Sequence, residues 1–132
     1  MRFALSVVLC LAISPGWACD RELLTVESWS ARQSERGVTG FVELDVAYQF
    51  NGDRPVRMID GRIAFYDVLD ELIGSVLIER DQTLAPGSTA QETQLLTSRA
   101  SRLVVMAHED VVTNTCVEAV VYDDGTVERF DR

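Results

Sequence analysis

From residue 42 to residue 50 apolar and polar side chains alternate without a break. Val42, Leu44, Val46, Tyr48 and Phe50 share one face, and Glu43, Asp45, Ala47 and Gln49 share the other. A period of two marks a strand that covers a core on one side only. Residues 56–67 repeat it, with Ile59, Gly61, Ile63 and Phe65 opposed to Asp60, Arg62, Ala64 and Tyr66. Gly61 in mid-strand predicts a bulge or the close approach of another backbone. Between these segments stands Asn51-Gly52-Asp53-Arg54-Pro55. Asn-Gly tolerates positive φ and proline stops a ladder, so the two strands are expected to form a hairpin.

The remaining segments carry weaker patterns. Leu24 and Val26 against Thr25 and Glu27 predict a first strand within residues 23–32, trailing through Gly37 as a polar loop or weak strand. Residues 67–72 suit one helical turn or a wide connection, and 73–79 a short strand. Leu84-Ala85-Pro86-Gly87-Ser88 is a turn, with proline setting φ and glycine accepting the left-handed position. Residues 90–97 read as an exposed strand, although Gln, Glu, Ala and Leu are also good helix formers. The apolar stretch 102–108 is strand-like. So are 111–122 and the return arm 127–130 across Asp123-Asp124-Gly125-Thr126. Short strands separated by turns predict an all-β fold, an antiparallel β-sandwich of about seven strands, with a half-open barrel as competitor. A chain of 132 residues has material for one core.

The first residues are of another kind. Met1-Arg2 is a short positive start, residues 3–13 are an apolar run too short to span a bilayer comfortably, and Ser14-Pro15-Gly16 breaks it. Gly16-Trp17-Ala18 then places small residues at both recognition positions before a cut after Ala18. These are the three regions of a secretory signal peptide, so residues 1–18 are expected to be a signal and 19–132 one exported domain, periplasmic or secreted.

That compartment changes the reading of the cysteines. Cys10 leaves with the signal, and Cys19 and Cys116 remain. In an oxidising compartment the two can form a disulfide that closes nearly the whole domain into a loop. Two alternatives stay open: a lipid thioether on Cys19, giving a lipid-anchored envelope protein, or unpaired thiols. A lipobox usually has leucine three residues before its cysteine, whereas Gly16 stands there and Trp17 replaces a small residue.

Charge narrows the partners. Without residues 1–18 the chain holds 11 arginines against 21 acids, a formal charge of −10, and no lysine. Such a surface repels nucleic acid and anionic lipid, so neither is an expected partner, and the mature domain is not expected to enter a membrane unless Cys19 is lipidated.

Catalytic signals are sparse. The single histidine, His108, sits where an apolar stretch meets Glu109 and Asp110. No HExxH or CxxC unit accompanies it to complete a zinc site. Asp67, Asp70 and Glu71 form one acidic cluster, and Asp123, Asp124, Glu128 and Asp131 another. Calcium takes such oxygen ligands, but neither cluster has the spacing of a calcium loop, so no cofactor is expected. No Gly-x-Ser-x-Gly elbow marks a serine nucleophile. Three aromatics are the candidates for an interface. Phe41 falls opposite the Val42 set, Tyr66 falls opposite Phe65, and Trp29 either fills the core or anchors a partner.

Three pieces of the chain resemble the FxLYD-type domains of exported bacterial and archaeal proteins: Gly40-Phe41-Val42-Glu43-Leu44, Ile63-Ala64-Phe65-Tyr66-Asp67 and Leu84-Ala85-Pro86-Gly87-Ser88. The similarity spans about residues 23–97 and consists of packing and turn residues. Phe65-Tyr66-Asp67 lacks the small Gly-containing turn that commonly follows in that pattern, and the pair ending at residue 130 lies beyond it. The resemblance implies an immunoglobulin-like sandwich and an extracytoplasmic life, and no reaction. The functional expectation is a non-catalytic exported binding or assembly module, with a protein partner or a second copy of itself. The alternative is a small envelope hydrolase or metal-dependent enzyme using His108.

Overall fold

The computed structural model describes residues 19–34 and 40–130. The expected signal segment 1–18, residues 35–39 and Asp131 of the second acidic cluster lie outside the described residues. Among the described residues seven strands follow one another: β1 (Leu24–Gln33), β2 (Val42–Phe50), β3 (Val56–Asp67), β4 (Leu72–Leu77), β5 (Thr89–Leu96), β6 (Val111–Tyr122) and β7 (Val127–Arg129). They form two antiparallel sheets, one ordered β1-β2-β5 and the other β4-β3-β6-β7. The fold is an all-β immunoglobulin-like sandwich. Among the described residues no helix is long and apolar enough to cross a membrane.

The alternation along β2 and β3 builds the core. Val42, Leu44, Val46, Tyr48 and Phe50 from one sheet, with Ile59, Ile63 and Phe65 from the other, are at most 2 % exposed. Burying each such side chain contributes about 1.5 to 3 kcal/mol before entropy is counted. Tyr48 is buried with its hydroxyl on Glu92 Oε1 at 3.2 Å, and burial, with the nearby Glu92 charge, raises its pKa. On β1 the register slips between Val26 and Ser28, so Glu27 is an extra residue. Leu24 and Val26 before the slip, and Trp29 and Ala31 after it, therefore all pack on the core. The ladder between β3 and β6 slips at Asp60 and Gly61, where the glycine predicted a bulge, but the extra residue is Glu118 on β6.

Two expectations are corrected. Asn51 to Pro55 does not close a hairpin; it carries the chain from one sheet to the other, because β2 already has β1 and β5 as its neighbours. The Asn51 amide is spent on the start of β1 and the residues before it, donating to the Glu22 carbonyl and the Thr25 hydroxyl at 2.9 and 2.7 Å. Residues 102–108 are not a strand. Two short 3-10 turns, Ser98–Ser101 and His108–Asp110, flank a single helical turn, α1 (Arg102–Val105). Ala100 and Leu103 are the buried residues of this stretch, a spacing of three that a helical backbone can aim at one core and a strand cannot.

The segment 67–71 is a tight turn. The Asp67 N–H donates to the Glu71 carbonyl at 3.0 Å and the Asp70 N–H to the Asp67 carbonyl at 3.0 Å, with Asp70 at φ 67°. So short a link leaves β4 no length to cross to the other sheet, and it pairs with β3. Residues 90–97 are the exposed strand expected, since β5 alternates exposed and half-buried positions.

Candidate functional site

The outward face of the four-stranded sheet carries a concave surface, and the pairing register explains why. Ala64 lies between Ser75 on β4 and Asn114 on β6. One row away, Arg62 lies between Leu77 and Cys116, and on the other side Tyr66 lies between Leu72 and Val112. Short side chains thus fill the middle row, and the flanking rows carry the longer Arg62 and Leu77 on one side and Tyr66 and Leu72 on the other. The result is a groove of about 300 Å³.

The segment before β1 supplies one wall. Asp20 bridges Val117 through two backbone hydrogen bonds of 2.8 Å. Cys19 is joined to Cys116 in a disulfide with Cα atoms 5.3 Å apart, and both half-cystines line the groove. The disulfide predicted from the sequence is therefore present, and a sulfur bonded to Cys116 is not available for a lipid thioether. The Asp20 carboxylate accepts the Glu22 and Leu23 N–H groups at 2.7 and 2.8 Å, and the buried Thr115 hydroxyl donates toward the Arg21 and Leu24 carbonyls at 3.1 and 3.0 Å. Arg21 is thus held on a rigid backbone at the rim.

Most polar groups of the groove are uncommitted. Among the described residues the Arg21 guanidinium, the Tyr66 hydroxyl, the Ser75 hydroxyl and the Asn114 amide have no hydrogen-bond or ionic partner. Arg62 meets Glu118 at 3.6 Å, with Glu118 outside the groove. Beside it the surface is apolar. Leu72 is 55 % exposed, Val112 44 % and Leu77 66 %, and Val68 and Leu69 stand exposed on the adjoining turn.

The other candidate residues lie elsewhere. Trp29 faces inward, its ring edge-on to Phe65 at 5.7 Å and stacked flat on His108 at 4.0 Å. His108 is exposed and closes over the indole. Phe41, just ahead of β2 and alternating with buried Val42, belongs to the outer face of the three-stranded sheet, whereas Tyr66 belongs to the outer face of the opposite sheet. The structure therefore does not bring these two aromatics together.

Asp67 and Asp124, one from each acidic cluster, are engaged in their own turns. Asp67, 6 % exposed, accepts the Leu69 and Glu71 N–H groups at 2.9 and 3.0 Å and the Arg102 guanidinium at 3.0 Å. The Glu71 amide, with Arg102 and the Leu69 amide, holds its pKa below the ordinary carboxylate value against the opposing effect of burial. Glu71 lies 3.8 Å from the same guanidinium. Asp124 accepts the Thr126 N–H at 2.9 Å and pairs with Arg54 at 3.0 Å, and its pKa is lowered chiefly by that amide. Among the described residues no three His, Cys, Asp or Glu side chains converge as a metal ion requires.

Sequence reasoning singled out Tyr66 and the two cysteines of this groove. It missed Arg21, Ala64, Ser75 and Asn114. One signal was present, because Ala64 is the small residue between Arg62 and Tyr66 in the outward set of β3. In comparisons with family models, curated proteins and solved structures, no match to this chain was found.

Proposed function

We propose that this chain is an exported, non-catalytic binding or assembly module that engages a polypeptide through the outer face of its four-stranded sheet. The observation that carries this reading is the row Leu72-Tyr66-Val112, which crosses three strands at the edge of the groove, with Leu72 and Val112 exposed and half-buried Tyr66 between them. A contiguous apolar patch on a rigid sheet is a recognition surface more often than a structural need, because those side chains stabilise nothing while exposed. The export part rests on the pattern of residues 1–18 and on the presence of a disulfide, a bond that persists in oxidising compartments. A seven-strand sandwich also agrees with what the resemblance to FxLYD-type domains implies. Intact mass of the native protein tests export. Residues 19–132 two daltons below the reduced form are expected, and retention of all 132 residues counts against it.

A photo-crosslinking residue at position 72 tests the surface. In cells it should give a discrete adduct that the same probe at Thr93, on the opposite outer face, does not give. Equal labelling from both positions, or none from position 72, defeats the proposal. An adduct at twice the monomer mass identifies the partner as a second copy.

A further inference from the structure

We infer that the groove centred on Ala64 receives the free C-terminal carboxylate of a polypeptide whose last residue is apolar. This rests on the binding-module reading and narrows its partner.

The charge pattern points this way. The chain carries 21 acidic residues, yet none of the ten residues that line this groove is acidic. Four other surface depressions each include Glu43, Asp45, Asp60 or Glu118. An anion is repelled over most of this surface and attracted here.

The donor chemistry agrees. Arg21, Tyr66, Ser75 and Asn114 all offer N–H or O–H groups, and these have no protein partner among the described residues. A carboxylate accepts several such bonds at once, and a guanidinium matches its two oxygens in a planar fork. Arg21 sits on a backbone already fixed by the disulfide, the Val117 bridge and the Thr115 hydroxyl, so less order is lost when it binds. Beside the donors, Ala64 and Leu72 supply apolar surface for one side chain, while Ser75 and Asn114 are placed to meet the amide of a preceding residue. Donors with a small apolar patch match a peptide end better than a fatty acid, whose long tail needs a dry channel.

The test is an NMR titration of the oxidised protein, read at the amides of Ala64, Ser75, Asn114 and Thr115. The probes are N-acetyl-leucine, N-acetyl-leucinamide and sodium acetate. N-acetyl-leucine should shift these amides saturably, the amide should bind about tenfold or more weakly for want of the charged acceptor, and acetate should be weak for want of the side chain. Arg21→Gln, at an exposed position, should weaken N-acetyl-leucine about tenfold with the rest of the spectrum unchanged. Equal response to acid and amide, wild-type affinity in Arg21→Gln, acetate binding as tightly as N-acetyl-leucine, or no shifts at these residues would each overturn the inference. An adduct from position 72 alongside such a failure leaves the binding-module reading standing and removes the carboxylate.

Discussion

The carboxamide of Gln94 holds the backbone of Leu77 by both its polar groups. Nε2 donates to the Leu77 carbonyl at 2.5 Å, and Oε1 accepts the Leu77 N–H at 3.4 Å. Leu77 ends β4, an edge strand of one sheet, and Gln94 lies on β5, an edge strand of the other. One side chain thus takes the place of a missing strand at the open corner of the sandwich. Glu92 does related work two residues away, accepting the Glu79 N–H and the Tyr48 hydroxyl at 3.2 Å each. Unpaired edges are where sheets of separate molecules join, and polar side chains that occupy them prevent it.

Gln94→Ala removes that cover. Two backbone groups lose their partner, and the variant should be less stable by about 0.5 to 1.5 kcal/mol in urea unfolding. It should also self-associate at concentrations where the parent is monodisperse, as read by analytical ultracentrifugation. Unchanged stability and sedimentation in Gln94→Ala would show the clamp to be incidental.

Loss of the disulfide should cost far more. Cys19 and Cys116 are 97 residues apart, and closing such a loop restricts the unfolded chain by about 4 to 5 kcal/mol in the chain-entropy model. The double variant Cys19→Ser, Cys116→Ser should show that loss in denaturant titrations without reductant. A difference under about 1 kcal/mol means the unfolded ensemble is not what the bond acts on.

Asp67 makes stability depend on pH. Its folded-state pKa is lowered, first by the Glu71 amide and then by Arg102 and the Leu69 amide, so its ionised form is favoured in the native protein. The contribution is fully present above the unfolded value of about 3.9, and it is lost as pH falls through the folded value below it. Asp67→Asn should therefore melt lower than the parent at pH 7, with the gap closing as pH drops below about 4. Melting curves between neutral and strongly acidic buffer measure it. A gap that stays constant across that range refutes the ionic origin.

Much of the sandwich is legible in the residues themselves. Alternation along 42–50 and 56–67 requires strands with one dry face, and Gly61 marks the place where the β3 ladder slips. These are local facts, because backbone geometry alone sends successive side chains to opposite sides. The two cysteines were legible as well, since an expected signal segment leaves one pair to join.

The layer assignment was not. Asn51 to Pro55 carries a hairpin's turn chemistry, and whether the next strand returns to the same sheet depends on who already pairs with β2, namely β1 and β5. The apolar residues 102–108 read as a strand, and the positions of Ala100 and Leu103 over the core decided for a helical turn instead. The groove is the extreme case. Arg21, Ala64, Ser75 and Asn114 come from four separate segments and meet only once the ladders set their register and the disulfide seats the first residues against β6. Sequence alone determined which side chains of β2 and β3 leave water, since their burial follows the period of two. Which exposed groups stand side by side was decided by long-range pairing, to which no short stretch of chain has access.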